Sequence, residues 1–372
     1  MVSVEAPSDR GRGPADPRPL PATAAQASPS PVVLRVARLS PWWVLVGVLA
    51  VLAAALASLM LGPVGIPPLA VVRELVGLES GLTTAEAAIL REIRLPRAIL
   101  GLLVGATLSV SGAAYQGVFR NPLADPYLLG AAAGAGLGVT ITIIGTAASA
   151  PTPVSAPIAA FAGALGAVAL TYALGAAGGS RLSTGSLILA GVAVTSFLTA
   201  VQTYAQQRSQ DTIRQVYSWI LGRLSTSGWH EVLLLLPYAI VTMVVVIAYR
   251  RVLDVLAVGD DEAATLGIDA RRSRLVVVVA ASLGTAAAVS VSGLIGFVGI
   301  IVPHTLRLLA GGSHRVILPL SILFGAAFLA LADLLARMLS SPAEIPIGVV
   351  TAFFGAPFFV LVLRAARRRG AL

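Results

Sequence analysis

The chain has 372 residues, 57% of them hydrophobic and 12% charged, with a mean hydropathy of +0.89 and a formal net charge of +9. Soluble domains carry about 25% charged residues, so this balance excludes a water-soluble globular protein and points to an all-α, polytopic membrane protein. All 26 basic residues are arginine, and a P-loop needs a lysine on the phosphates, so the chain is not itself an ATPase.

The positive charge sits at the ends of apolar runs, which fits the positive-inside bias of membrane proteins better than nucleic-acid binding. The chain has no cysteine, and its three histidines are scattered, so neither thiol chemistry nor a metal or other cofactor is expected. No paired carboxylates, HExxH or Ser-His pair falls in the apolar runs, which argues against an enzyme.

Residues 1–40 are rich in Pro, Ala and Ser and read as a disordered tail rather than a signal peptide. A membrane domain is expected over residues 41–363, followed by a short basic tail at 364–372. The first span, Trp42–Leu61, opens on Trp42 and Trp43, as an interfacial aromatic belt would. A more polar segment follows, and IRLPR opens the second span at about Ala98–Phe119. The loop RNPLADP (Arg120–Pro126) carries two prolines that no helix interior would accept. The third span, Tyr127–Thr146, has Gly130, Gly134 and Gly138 four apart, a flat face for close helix packing.

Spans four (Val154–Gly178) and five (Ser186–Ala205) come next. An amphipathic segment then places Ile213, Val216, Tyr217 and Ile220 at helical spacing. Spans six (Val232–Tyr249) and seven (Leu275–Ser292) flank the polar loop 250–274. A shorter apolar segment containing Pro303 and His304 makes the eighth, and spans nine (Val316–Leu335) and ten (Ile345–Leu363) complete the set. His304 reads as hydrogen-bonded structure more readily than as a ligand. Ten spans put both termini on one side, and eighteen of the 26 arginines fall there, with eight on the other. That side is therefore cytoplasmic.

The loop 250–274 is basic at its ends and acidic in its middle. Asp260 is placed to cap a short helix, Asp261 and Glu262 lie where the dipole favours anions, and Gly267 can end it in a left-handed turn. Between them stand the small Ala263 and Ala264 and one apolar knob, Leu266. On the residues alone, a helix built to fit a partner's groove and an ordinary solvated loop helix are both open.

The run IRLPRAILGLLVGATLSVSGAAYQGVFRNPLADPYLLGAAAGAGLG (Ile93–Gly138) resembles the signature of the FecCD-type permeases of bacterial ABC importers. GDDEAATLGI (Gly259–Ile268), SGLIGFVGIIVPHTLRLLAG (Ser292–Gly311), HRVILPLSILFGAAFLALADLLAR (His314–Arg337) and EIPIGVVTAFFGAPFFVLVL (Glu344–Leu363) extend the likeness over most of the chain. The resemblance implies ten helices per subunit in a type II importer permease fold, in the bacterial plasma membrane. It further implies a homodimer with the path on its axis, two cytoplasmic ATPase subunits and an external substrate-binding protein. The cargo implied is an iron chelate (siderophore or haem), with cobalamin as the alternative within the family.

The resemblance assigns ATPase coupling to Asp260, Asp261, Glu262, Ala263, Ala264, Leu266 and Gly267. It assigns a cytoplasmic gate to Asn121, Pro122 and Leu123 with Ser183 and Thr184, where Gly185 departs from the family's pattern. It assigns binding-protein docking to Arg94, Arg97 and Arg337, although lipid headgroups would also suit these side chains. Asp333, one turn before Arg337, is placed to pair with it. A secondary transporter driven by an ion gradient would need acids at mid-span, and the apolar runs nearly lack them.

Overall fold

The computed structural model describes residues 38–146, 155–177, 184–224, 228–340 and 343–368. The expected tail up to residue 37, and residues 369–372 of the basic end, lie outside them. Among the described residues there is helix and loop but no strand.

Helix α1 (Pro41–Met60) is the first span, and the polar segment after it folds into α2 (Pro68–Leu75) and α3 (Thr84–Ala88). Thr83 and Glu86 cap α3 reciprocally. The chain then runs without a break through a π-helical turn, Ile89–Arg94, into α4 (Leu95–Phe119). The apolar pattern alone starts this span several residues too late.

A 3₁₀ turn, Pro126–Leu129, leads to α5 (Ala131–Gly145), followed by α6 (Ser155–Ala177) and α7 (Thr184–Arg208). The amphipathic segment is α8 (Ile213–Ile220), and α9 (His230–Ala248) is the sixth span. The polar loop holds two short helices, α10 (Arg250–Val258) and α11 (Asp260–Thr265), before α12 (Ala270–Ser292). Helices α13 (Val298–Ala310), α14 (His314–Met338) and α15 (Ile347–Arg368) complete the chain.

Each of the ten expected spans corresponds to one of these helices. Among the described residues seven are long and apolar enough to cross a bilayer, and α5, α13 and the apolar part of α15 are shorter. The connections put both described chain ends at the end of the bundle that carries α10 and α11.

Helix α4 is the axis of the packing and is buried along nearly its whole length, chiefly against α14, α12, α13 and α9. The fit depends on glycine. A side chain at Gly105 would run into the Gly325 carbonyl on α14, and one at Gly112 would lie 2.5 Å from the Cα of Gly299 on α13. Of the expected glycine ladder, Gly134 and Gly138 lie against the backbone of Gly163 and Ala159 on α6, while Gly130 is the left-handed cap before α5, at φ +83. Deep polar contacts add to this, such as the Tyr115 and Ser282 hydroxyls, 2.5 Å apart between α4 and α12.

Two expectations change. The buried residues of α8 are Val216 and Trp219, with Ile213 and Ile220 half-buried on the same side, while Tyr217 is exposed. Helix α11 starts from an extended Gly259, with Asp260 its first helical residue; the Asp260 carboxylate is drawn instead to arginines on other elements. Gly267 does take the left-handed conformation, at φ +73.

Candidate functional site

Three groups of residues stand out, two at the loop end of the bundle and one at the opposite end. The first is RNPLADP. Helix α4 ends at Arg120, which is left-handed at φ 49, a conformation usually given to glycine. Asn121 Oδ1 accepts from the Leu123 N–H at 2.9 Å, and Pro122 fixes its own φ, so the three-residue turn is stiff. Gln116 anchors it from one side, donating to the Gly299 carbonyl at 3.0 Å and accepting from Arg307 at 3.1 Å.

On the other side of the turn, Asp125 Oδ1 accepts from the Tyr127 N–H at 2.7 Å. Burial pushes the Asp125 carboxyl up to about 6, against the pull of that hydrogen bond. The Tyr127 hydroxyl donates to the Ile295 carbonyl at 2.9 Å, bracing the non-helical link between α12 and α13. Ser183, the partner expected for this turn, lies outside the described residues, and of Thr184 only the helical backbone is described.

The second group is α10–α11. Asp254 reaches from α10 to the start of α14, accepting from Ser313 Oγ at 2.7 Å and the His314 N–H at 2.5 Å. Its carboxylate sits 3.0 Å from His314 Nδ1 and 3.4 Å from Arg315 Nε. Burial would raise the Asp254 pKa, but the hydrogen bonds from His314 and Ser313 outweigh it and hold it below the usual range.

The small face of α11 divides. Ala263 is fully buried against the chain's own core, whereas Asp261, Glu262, Ala264 and Leu266 are exposed. Of the two alanines only Ala264 is open to a partner, since Ala263 packs into the main apolar core. Sequence reasoning missed Val258, 72% exposed at the end of α10; with Leu266, 67% exposed, it makes a second apolar knob on a polar loop. Its place at the end of a run ending in glycine is the only signal that could have marked it.

The third group lies at the opposite end. Arg97 sends Nε and Nη2 to Asp333 at 3.1 and 2.8 Å, and Nη1 and Nη2 to Glu344, both at 2.9 Å. Asp333 also pairs with Arg337 at 3.0 Å, as its position one turn earlier predicts. The π-helical turn ends at Arg94 and α4 carries Arg97, and the two arginines, three residues apart, take different partners. Arg94 is buried and donates to the carbonyls of Leu59 (2.7 Å), Met60 (3.3 Å) and Val64. Arg337 is buried too and reaches the Ser58 carbonyl at 3.5 Å. Helix α1 has no basic residue in its own last turn, so these two guanidiniums satisfy its orphan carbonyls and oppose its dipole. That internal task, invisible in the linear sequence, turns both side chains inward. Glu344, half exposed and held below the usual carboxylate range by its hydrogen bond from Arg97, is the group at the rim.

His304 stacks edge-on against Phe358, and among the described residues no cluster suits a metal ion.

A glycine-packed helical bundle with a braced, proline-stiffened loop and a pair of short helices at one end is the architecture of a multi-pass transport permease. The chain belongs to the FecCD transport family, which it matches over residues 49–365. It is 44% identical to a cobalamin import system permease protein of Halobacterium salinarum, over 77% of this chain and 76% of that one. It is 37% identical to an Fe(3+)-citrate import system permease protein of Bacillus subtilis, over 76% and 83%, and 37% identical to a hemin transport system permease protein of Yersinia pestis, over 74% and 84%. A solved inward-facing structure described as a metal-chelate type ABC transporter superposes with a TM-score of 0.77 at 28% identity, covering 87% of this chain and all of that one.

Proposed function

We propose that this chain is the permease subunit of an ATP-driven ABC importer, carrying a metal chelate across the plasma membrane along the axis of a homodimer. Its termini and the 250–274 loop face the cytoplasm. The observation that carries the coupling is the exposed face of α10–α11. Val258 and Leu266 project from a loop that is otherwise charged, beside Asp261, Glu262 and the small Ala264. An apolar knob on a helix with a small side chain beside it fits a groove in a partner protein, here the ATPase. Asn121, Pro122 and Leu123, with Ser183 and Thr184, form the gate on the axis.

At the external end, Arg97 is the one arginine of the three whose fork reaches the rim, so it receives the binding protein's carboxylate in exchange for Glu344. Arg94 and Arg337 hold the surface in shape beneath it. The cargo is an iron chelate; a corrinoid is the second reading, favoured by the 44% identity to a cobalamin permease. Ala264→Trp should prevent copurification of the ATPase while the permease stays in the membrane. Reconstituted with ATPase and binding protein, the wild type should import radiolabelled ferric citrate, haemin or cyanocobalamin. ATP-independent uptake driven by an ion gradient would overturn the reading.

A further inference from the structure

Arg120 is an arginine where the backbone favours glycine. It closes α4 at φ 49, a left-handed conformation that costs a non-glycine residue about 1 kcal/mol or more. A glycine there would cap the helix without that strain, so the side chain must have a use. Its Nε donates to the Leu256 carbonyl at 2.6 Å, near the end of α10, and its Nη2 bonds the Asp260 carboxylate, the first residue of α11. Asp260 also accepts from Arg274 on α12, at 2.9 and 2.5 Å. Three elements distant in sequence therefore meet at one carboxylate. The next residue after Arg120 is Asn121, the start of the stiff turn.

Stability does not explain this arrangement. Arg120 and Asp260 are 38% and 49% exposed, and ion pairs that open to solvent contribute little. A bidentate grip on both short helices does, however, make the turn follow them.

We propose that Arg120 is the link through which movement of α10–α11 is passed to the Asn121–Leu123 turn, a positioning residue that couples the ATPase to the gate. This rests on the reading of α10–α11 as the ATPase dock and of the turn as the gate. The fork geometry is required, because one donor set must hold the Leu256 carbonyl and the Asp260 carboxylate together.

The chain has no cysteine, so Leu123→Cys provides a single thiol in the turn. In the purified complex with its ATPase, the alkylation rate of that thiol should differ between the nucleotide-free and ATP–vanadate-trapped states. The difference should be about tenfold, within the usual range for coupled sites. Adding Arg120→Gln should abolish the difference, while ATPase copurification and basal hydrolysis persist. Arg120→Lys, which keeps the charge but cannot hold both acceptors, should behave like Arg120→Gln and serves if that variant is poorly produced. Arg274→Gln removes a cation from the same carboxylate without touching the turn and should retain the difference.

A normal difference in Arg120→Gln, or an equal loss in Arg274→Gln, overturns the link. If instead no ATPase copurifies with the wild-type chain, it is the docking reading that fails.

Discussion

Asp333 offers the sharpest test of what holds the end of the bundle opposite α10–α11 together. Its carboxylate is 4% exposed and lies between Arg97 and Arg337, whose side chains are 12% and 7% exposed. With Arg94 nearby, three guanidiniums are set against two carboxylates, Asp333 and Glu344, so the group is already short of negative charge. Asp333→Ala removes the buried member of that pair and leaves two largely desolvated cations facing each other. Breaking a buried pair this way costs about 3–5 kcal/mol. Glu344 is 49% exposed, so water can take its place, and Glu344→Ala should cost at most about 1 kcal/mol.

The large gap between these values is what makes the comparison decisive. At about 1.4 kcal/mol per decade, Asp333→Ala shifts the folding equilibrium by roughly two to three and a half decades. Loss of monodisperse permease on heating in detergent, followed by size exclusion, reads the order. Wild-type resistance in Asp333→Ala, or a larger loss in Glu344→Ala, would refute the buried-network account.

Gly112→Val should destabilise by about 1–3 kcal/mol or more, because its Cβ meets the Gly299 backbone rather than a side chain that can rotate away; thermal loss in detergent checks it. Asp125 has a folded pKa raised from 3.8 to about 6, so the native state binds its proton more tightly than the unfolded chain does. The resulting stabilisation is full below 3.8 and lost as pH rises through about 6, and Asp125→Asn should flatten unfolding profiles across that window. Sidedness is read by thiols: an impermeant maleimide should label Thr83→Cys and Ser209→Cys in intact cells but not Asp261→Cys, and the reverse pattern would invert the topology.

The sequence by itself determined the membrane class, the ten apolar segments and the family. Those signals are local or cumulative: apolar run length, arginine at the run ends, the four-residue glycine period of α5, and motifs in order along the chain. Gly267 and the pairing of Asp333 with Arg337 were equally legible, since each is a matter of one turn of backbone. What only the tertiary structure decided is where each charge points. Arg94 looks like a free external cation until the end of α1 is brought beside it with carbonyls to satisfy. Ala263 looks like part of an exposed small face until the packed helices close the core over it. Asp260 looks like a helix cap until Arg120 and Arg274 arrive from positions 140 and 14 residues away. Arginine side chains are long, and in a bundle of antiparallel helices their partners come from elements remote in sequence. Spacing along the chain can therefore place a charge at a helix end, but only packing selects its partner.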